Sequence, residues 1–243
     1  MEFFLEAVFL HLERNRYMIK PTPLSGFPEW LPGQQIAEQR VIDIIRSVYE
    51  LHGFSRLETS AVERVSILAA KGEINKEIYG LGRLQGTPGR WEMALHFDLT
   101  VPLARYVAQN SGAVNFPFKR WQIQKVWRGE RPQEGRFREF YQADIDVIGD
   151  GELPLSFDAE LPAVIHEIFQ KLGIRAQINI NNRKVLLGYS QSLGLDEAKS
   201  ADVLREVDKI DKIGADKVRE ALTKLEIDEA TADKCLALCS LKG

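Results

Sequence analysis

The feature that constrains this chain most is a pair of long alternating runs. FPFKRWQIQKVWRGE at 116–130 and FREFYQADIDVIG at 137–149 are separated by six residues, RPQEGR. Successive side chains of a strand point to opposite faces, so each run presents two different surfaces. In the second run Tyr141, Ala143, Ile145 and Val147 turn one way, toward a core, while Arg138, Phe140, Gln142, Asp144 and Asp146 turn the other. In the first run Val126, Arg128 and Glu130 share a face, so Arg128 and Glu130 can join the polar face of the partner strand. The short connection predicts an antiparallel hairpin with Arg131 and Arg136 in its loop.

That polar face carries guanidiniums, carboxylates, an amide and one aromatic plane. A guanidinium fork donates two parallel hydrogen bonds to a phosphate, and carboxylates with an amide suit an ammonium group. Receptors for anion and cation side by side are what a site needs to hold a nucleotide against an amino acid. The rival reading is a solvated hairpin face of alternating charge. Charge placement bears on the choice. Residues 119–138 hold seven Lys or Arg (Lys119, Arg120, Lys125, Arg128, Arg131, Arg136, Arg138) against Glu130 and Glu134. This surplus of +5 leaves −8 for the rest of a chain whose net charge is −3. Such a chain does not coat nucleic acid or membrane with its whole surface, and a local positive site in an acidic body fits a specific small anion.

The remaining chain reads as strands and helices without repeats. PTPLSGFPEWLPG (21–33) predicts an ordered loop around Phe27 and Trp30. QQIAEQRVIDIIRSVYELHGF is an amphipathic helix, with Gly53 where a C-terminal cap belongs. SRLETSAVE predicts a strand, ERVSILAAKG a short helix, and KEIYGLGRLQGTPGRWEMALHF two strands around a Gly/Pro turn. Thr100 is the expected N-cap of the next helix, with Pro102 in its first turn. SFDAELPAVIHEIFQKLG is a helix closed by Gly173, and IRAQININ is a final strand. From Asn182 onward the pattern is helical, interrupted at glycines and capping Asp residues. Strands mostly lacking crossover helices favour an antiparallel sheet, so the expected class is α+β with a helical appendage. Cys235 and Cys239 lack the second pair that a zinc site needs and read as core thiols in a reducing cytosol. His11, His52, His96 and His166 show no metal spacing, and Trp30, Trp91, Trp121 and Trp127 read as core or interface aromatics. No run reaches the ~18 apolar residues of a membrane span. The apolar patch near the N-terminus carries Glu2 and Glu6 where a signal peptide is positive, which predicts a helical extension with Met18 as an alternative start.

Arg128-Gly129-Glu130, followed by Arg136-Phe137-Arg138-Glu139-Phe140, resembles motif 2 of class II aminoacyl-tRNA synthetases: Arg-x-Glu, a loop, then Arg-x-x-x-Phe. GRFREFYQADIDVIG is most similar to the histidyl-tRNA synthetase version. Three further segments agree in order: SGFPEWLP resembles the start of the dimer-forming motif 1, KEIYGLGRLQGTPGRWEMALHFDLTVPLARYVAQN a substrate-loop segment, and INNRKVLLG the turn before a helical insertion. The resemblance spans about residues 20 to 240. It implies a class II antiparallel sheet flanked by helices, with residues 1–18 as extension, 19–181 as catalytic core and 182–243 as a truncated all-helical insertion. It also implies roles. Arg128 contacts the ATP α-phosphate and the histidine carboxylate; Glu130 reads the adenine amino group, Phe140 stacks on adenine, and Arg136 holds the outer phosphates, screened by Mg2+. Asp98, Leu99, Thr100, Gln142 and Asp146, together with Arg128, bind histidine. The rival for Asp98 is a helix N-terminal acid favoured by the dipole. Asp144 is left out, as a sheet-edge or interface acid.

The implied activity is formation of histidyl-adenylate and transfer to tRNA(His) by a cytoplasmic homodimer joined through residues 26–60, with no protein-held metal. The motif 3 arginine and anticodon-binding domain of the family do not follow Gly243, so the resemblance predicts an exposed sheet edge and weak or no activity for this chain alone. The alternatives are a non-catalytic relative, the regulatory subunit of ATP phosphoribosyltransferase; a synthetase of the prolyl or threonyl branch; and a generic anion-binding module. Retention of Arg128, Glu130, Arg136 and Phe140 favours the enzyme.

Overall fold

The predicted hairpin is present over its full length in the computed structural model, which describes residues 21–71, 77–87, 89, 91–180 and 182–239. The N-terminal extension expected over 1–18, with His11, lies outside the described residues. In chain order the first unit contains α1 (Pro32–Leu51), β1 (Ser55–Arg56), β2 (Val62–Arg64), α2 (Val65–Leu68), β3 (Gly80–Leu81), β4 (Met93–Leu95), α3 (Thr100–Asn110), β5 (Phe118–Trp127), β6 (Glu139–Ile148) and α4 (Ser156–Lys171). Among the described residues these strands form two sheets, ordered β1-β5-β6 and β2-β4-β3. All pairings are antiparallel except β1 with β5, which is parallel.

Alternation within the hairpin decides how the core forms. Trp121, Ile123, Ile145 and Val147 pack with Val48 and Tyr49 of α1, Phe54, and Val164 and Ile168 of α4. Burying one such side chain contributes about 1.5–3 kcal/mol, enough to hold both helices on one face of the sheet and leave the other free for polar residues. Helix α1 starts at Pro32, whose missing N–H costs nothing there, and Gln34 Oε1 accepts the Leu31 backbone N–H at 3.0 Å. It ends where Gly53 adopts φ +75°, as its position in the sequence predicts. His52 Nε2 lies 2.7 Å from Glu167 of α4, and Lys119 Nζ donates to the His52 carbonyl and to Glu160, so charged pairs rim the apolar contact.

Four expectations need correction. The strand expected over 55–63 divides between two sheets, because Gln122 and Gln124 donate side-chain hydrogen bonds to Thr59 Oγ1 (3.3 Å) and Thr59 O (3.2 Å), replacing a backbone ladder at the crossing. Thr100 is not the N-cap: Asp98 Oδ1 accepts the Val101 N–H at 3.1 Å instead, since a carboxylate competes well for a helix N-terminal donor. Tyr141 has the inward parity but is exposed, because it lies beyond the cover of α4, beside Pro28, Trp30 and Gln35. The final strand expected over 174–181 is not formed over 174–180. Its alternation is real, but Ile174, Ile178 and Ile180 are exposed and no described strand pairs with it. A strand exists only by backbone pairing, which alternation cannot supply.

The described residues fall into two compact units that meet in sequence at Ala176 and Gln177. The second contains α5 (Arg183–Ser192), α6 (Glu197–Val207), α7 (Ile210–Ile213), α8 (Ala215–Lys224) and α9 (Glu229–Cys239). Asn182 caps α5 and Asp196 caps α6, accepting from Lys184 N and Lys199 N. Val203, Val207, Val218, Leu222, Ile227, Ala232, Cys235 and Leu236 form its own buried cluster, with Cys235 as one apolar member.

Candidate active site

The register of the hairpin writes the site. Arg120 stands opposite Asp146, Gln122 opposite Asp144, Gln124 opposite Gln142 and Val126 opposite Phe140, all with the parity that faces away from α1 and α4. Beyond them Arg128 N donates to Arg138 O at 2.9 Å, continuing the ladder into the loop. Gly26 anchors that loop: its carbonyl accepts from Arg138 N (2.7 Å) and Glu139 N (3.2 Å). At φ +86° Gly26 adopts a conformation that other residues rarely take, and a Cβ there would meet Arg138 Cγ at 2.9 Å.

At the loop end, Arg128, Glu130, Arg136 and Phe140 line one cavity of about 270 Å³, with Gly135 and Phe137. The Arg128 guanidinium carbon lies 5.1 Å from the centre of the Phe140 ring. Arg136 pairs with Glu130 at 3.1 Å, and the arginine is 63% exposed. An ion pair this open is worth little, so Arg136 can exchange its carboxylate for a phosphate at small cost. Arg138, by contrast, is committed to the Glu130 and Ser25 carbonyls.

Toward the other end Arg128 joins the two halves. Its Nε donates to the Phe97 carbonyl (3.1 Å), next to Asp98, and its Nη2 donates to Gln142 Oε1 (3.3 Å). Gln142 Nε2 in turn donates to both carboxylate oxygens of Asp144, at 3.0 and 2.8 Å. Arg120, with no exposed surface, lies 2.8 Å from Asp146 and donates to the Leu99 carbonyl at 3.3 Å. Burial pushes the carboxyls of Asp144 and Asp146 above the usual carboxylate range, with the Arg120 charge opposing the shift. Burial also raises the Tyr49 hydroxyl to about 12 and lowers Arg120.

Of the residues expected from sequence, Arg128, Glu130, Arg136 and Phe140 are brought to one cavity, and Gln142 is bonded to Arg128. Asp98 is buried at the start of α3, Thr100 is exposed, and Leu99 turns its side chain into the core and contributes only its carbonyl. Two members of the network, Arg120 and Asp144, are missing from the sequence-based set. Asp144 has the parity of Gln142 and Asp146, and Arg120 has that of Arg128 eight residues on; following the polar face back along β5 would have reached it. Among the described residues no group of His, Cys, Asp or Glu is placed to hold a metal ion.

A two-helix-backed antiparallel hairpin with this arginine arrangement defines a class II aminoacyl-tRNA synthetase core. A family model described as Histidyl-tRNA synthetase matches residues 26–243, and the chain belongs to that family. It is 55% identical over 235 residues to the histidine–tRNA ligase of Bifidobacterium longum subsp. infantis, covering 92% of this chain and 50% of that protein. It is 53% identical over 233 residues to that of Thermobifida fusca, covering 93% and 52%. The crystal structure of histidyl-tRNA synthetase from Nostoc sp. PCC 7120 superposes with a TM-score of 0.82 at 42% identity, covering 93% of this chain and 50% of that one. An ATP phosphoribosyltransferase regulatory subunit/histidyl-tRNA synthetase from Bacillus halodurans shares the fold, with a TM-score of 0.71 at 21% identity. The chain spans about half the length of the curated relatives it matches.

Proposed function

We propose that this chain supplies the ATP and histidine sites with which a histidine–tRNA ligase makes histidyl-adenylate before transfer to tRNA(His). The observation that carries the reading is the convergence of Arg128, Glu130, Arg136 and Phe140 on one cavity, linked through the Arg128–Gln142 bond to the acidic cluster of β6. Adenine stacks on Phe140 and meets Glu130, and the outer phosphates, with the Mg2+ that ATP brings, take Arg136 from its carboxylate. The histidine ammonium lies toward Gln142, Asp146 and Asp98, and its carboxylate toward Arg128. That carboxylate attacks the α-phosphorus in line, the bond to the leaving pyrophosphate breaks, and Arg128 stabilises the charge that develops on phosphorus. Such chemistry requires positioning and electrostatics rather than a covalent nucleophile.

Within this reading residues 19–181 form the catalytic core and 182–243 the helical insertion. Charging of tRNA in this reading takes place in the cytoplasm. No helix among the described residues is long and apolar enough to cross a membrane. Homodimerisation through residues 26–60 is supported by the apolar side chains left exposed there: Leu31, Ile36, Val41 and Leu51.

The test is ATP–pyrophosphate exchange with histidine and a panel of other amino acids. Any exchange by this chain alone is expected to be weak and to need histidine and no other amino acid, and Arg128→Ala should slow it by about 10²–10³-fold, the usual loss on removing one oxyanion donor. Histidine binding without exchange would favour the regulatory alternative, whose relative shares this fold. Full exchange in the Arg128 variant would remove that residue from the mechanism.

A further inference from the structure

Arg120 belongs to none of the roles assigned above, yet it is the largest fully buried side chain among the described residues. Its Nη2 lies 2.8 Å from Asp146 Oδ2 and donates to Leu99 O at 3.3 Å, while Nε and Nη1 are buried with no hydrogen-bond partner among the described residues. A buried guanidinium with unspent donors is expensive, and a fold that needed only packing would place an apolar side chain there. The ionisable groups whose charge acts on it are Asp146 and Asp144 of β6, Tyr49 of α1 and Asp98 before α3. Tyr49 is neutral, so three carboxylates surround one cation.

We propose that Arg120 is a positioning residue of the amino-acid subsite, an internal cation that balances Asp144 and Asp146, aiming Asp146 at the substrate ammonium and holding Asp144 on Gln142. The proposal rests on reading this cluster as the histidine site. Arg120 holds Asp146 across the strand pair, with Nη2 2.8 Å from Oδ2. Its charge also keeps the Asp144 carboxylate available to both hydrogen bonds from Gln142 Nε2, which forces Gln142 Oε1, an acceptor, toward Arg128 and the site. One guanidinium among three carboxylates leaves a surplus of negative charge, which the ammonium completes. A neutral amine or an amide at that position would leave it uncompensated.

The test compares the parent with Arg120→Met and Arg120→Lys, measuring histidine and ATP affinity by calorimetry across neutral and mildly alkaline pH, and titrating the side-chain carboxyl carbons of Asp144 and Asp146 by NMR. Arg120→Met should weaken histidine binding by about tenfold or more at neutral pH, the equivalent of one unit in pKa, and leave ATP binding unchanged. The loss should shrink as pH rises, both carboxyls should titrate at higher pH than in the parent, and Arg120→Lys should recover most of the affinity. Equal losses for histidine and ATP, or unchanged titrations, would show a purely structural role and overturn the proposal. If Arg120→Met does not fold, Asp144→Asn replaces it. Weaker histidine binding with ATP affinity retained is then expected, and unchanged histidine affinity overturns the proposal. If the parent binds ATP but no histidine, the site reading fails, and the carboxyl titrations still decide whether Arg120 holds the two acids ionised.

Discussion

Asp144 and Asp146 weaken the fold they belong to. Burial raises both carboxyls, so the folded state holds their protons more tightly than the unfolded state does. Stability therefore falls as pH climbs from the ordinary carboxylate value through the raised one, and the full cost is present above the raised one. Asp144→Asn should raise Tm by a few degrees at neutral pH, with the gain vanishing in acid below the ordinary carboxylate range; thermal melts across pH would read it. His96 has the opposite arithmetic. It is buried, its Nε2 meets the Lys125 carbonyl at 2.8 Å, and burial lowers its pKa from 6.5. Below 6.5 the unfolded state takes up a proton that the folded state resists, so stability is lost as pH falls through that window. His96→Gln should flatten this part of the stability profile, and an unchanged slope would assign the acid sensitivity elsewhere. Parity along β6 put Phe140, Gln142, Asp144 and Asp146 on one polar face, and only the resemblance to motif 2 gave Phe140, Gln142 and Asp146 their expected roles. Parity with Arg128 also put Arg120 on that face, but its pairing was not legible, because the cross-strand register sets it opposite Asp146.

At the scale of elements, the loop is held by its base. Gly26→Ala would impose an unfavourable φ, at about 1–3 kcal/mol, and drive a Cβ toward Arg138. The expected result is a lower Tm and ATP affinity reduced more than histidine affinity, since Arg138 lies beside the Glu130 carbonyl and not in the acidic cluster. Equal loss of both would mean that Gly26 supports the hairpin as a whole. The two long strands, α1 and α4 were readable because period and caps agree locally. The segment 174–180 was not, because alternation names a strand's faces but not its neighbour. The break at Thr59 was hidden for a related reason: two glutamine side chains from β5 decide it.

Across the whole molecule, each unit keeps its own buried cluster. Leu222 is fully buried in the helical one, and Leu222→Ala should cost about 2–5 kcal/mol there. Hydrogen exchange should quicken in α6, α8 and α9 while β5 and β6 keep their protection; loss of protection in the hairpin would show that the units unfold together. The change from strands to helices near Asn182 was plain in composition, whereas the division of the strands between two sheets depends on pairings that no local pattern encodes. The edge position of β6 bears on the whole molecule as well. Among the described residues β6 pairs with β5 alone, yet it carries Gln142, Asp144 and Asp146. Any strand added along its outer edge would share a backbone with the proposed amino-acid subsite. By reciprocity, the factor by which that strand tightens histidine binding is the factor by which histidine tightens the strand, so occupancy of the subsite and completion of the sheet become one equilibrium.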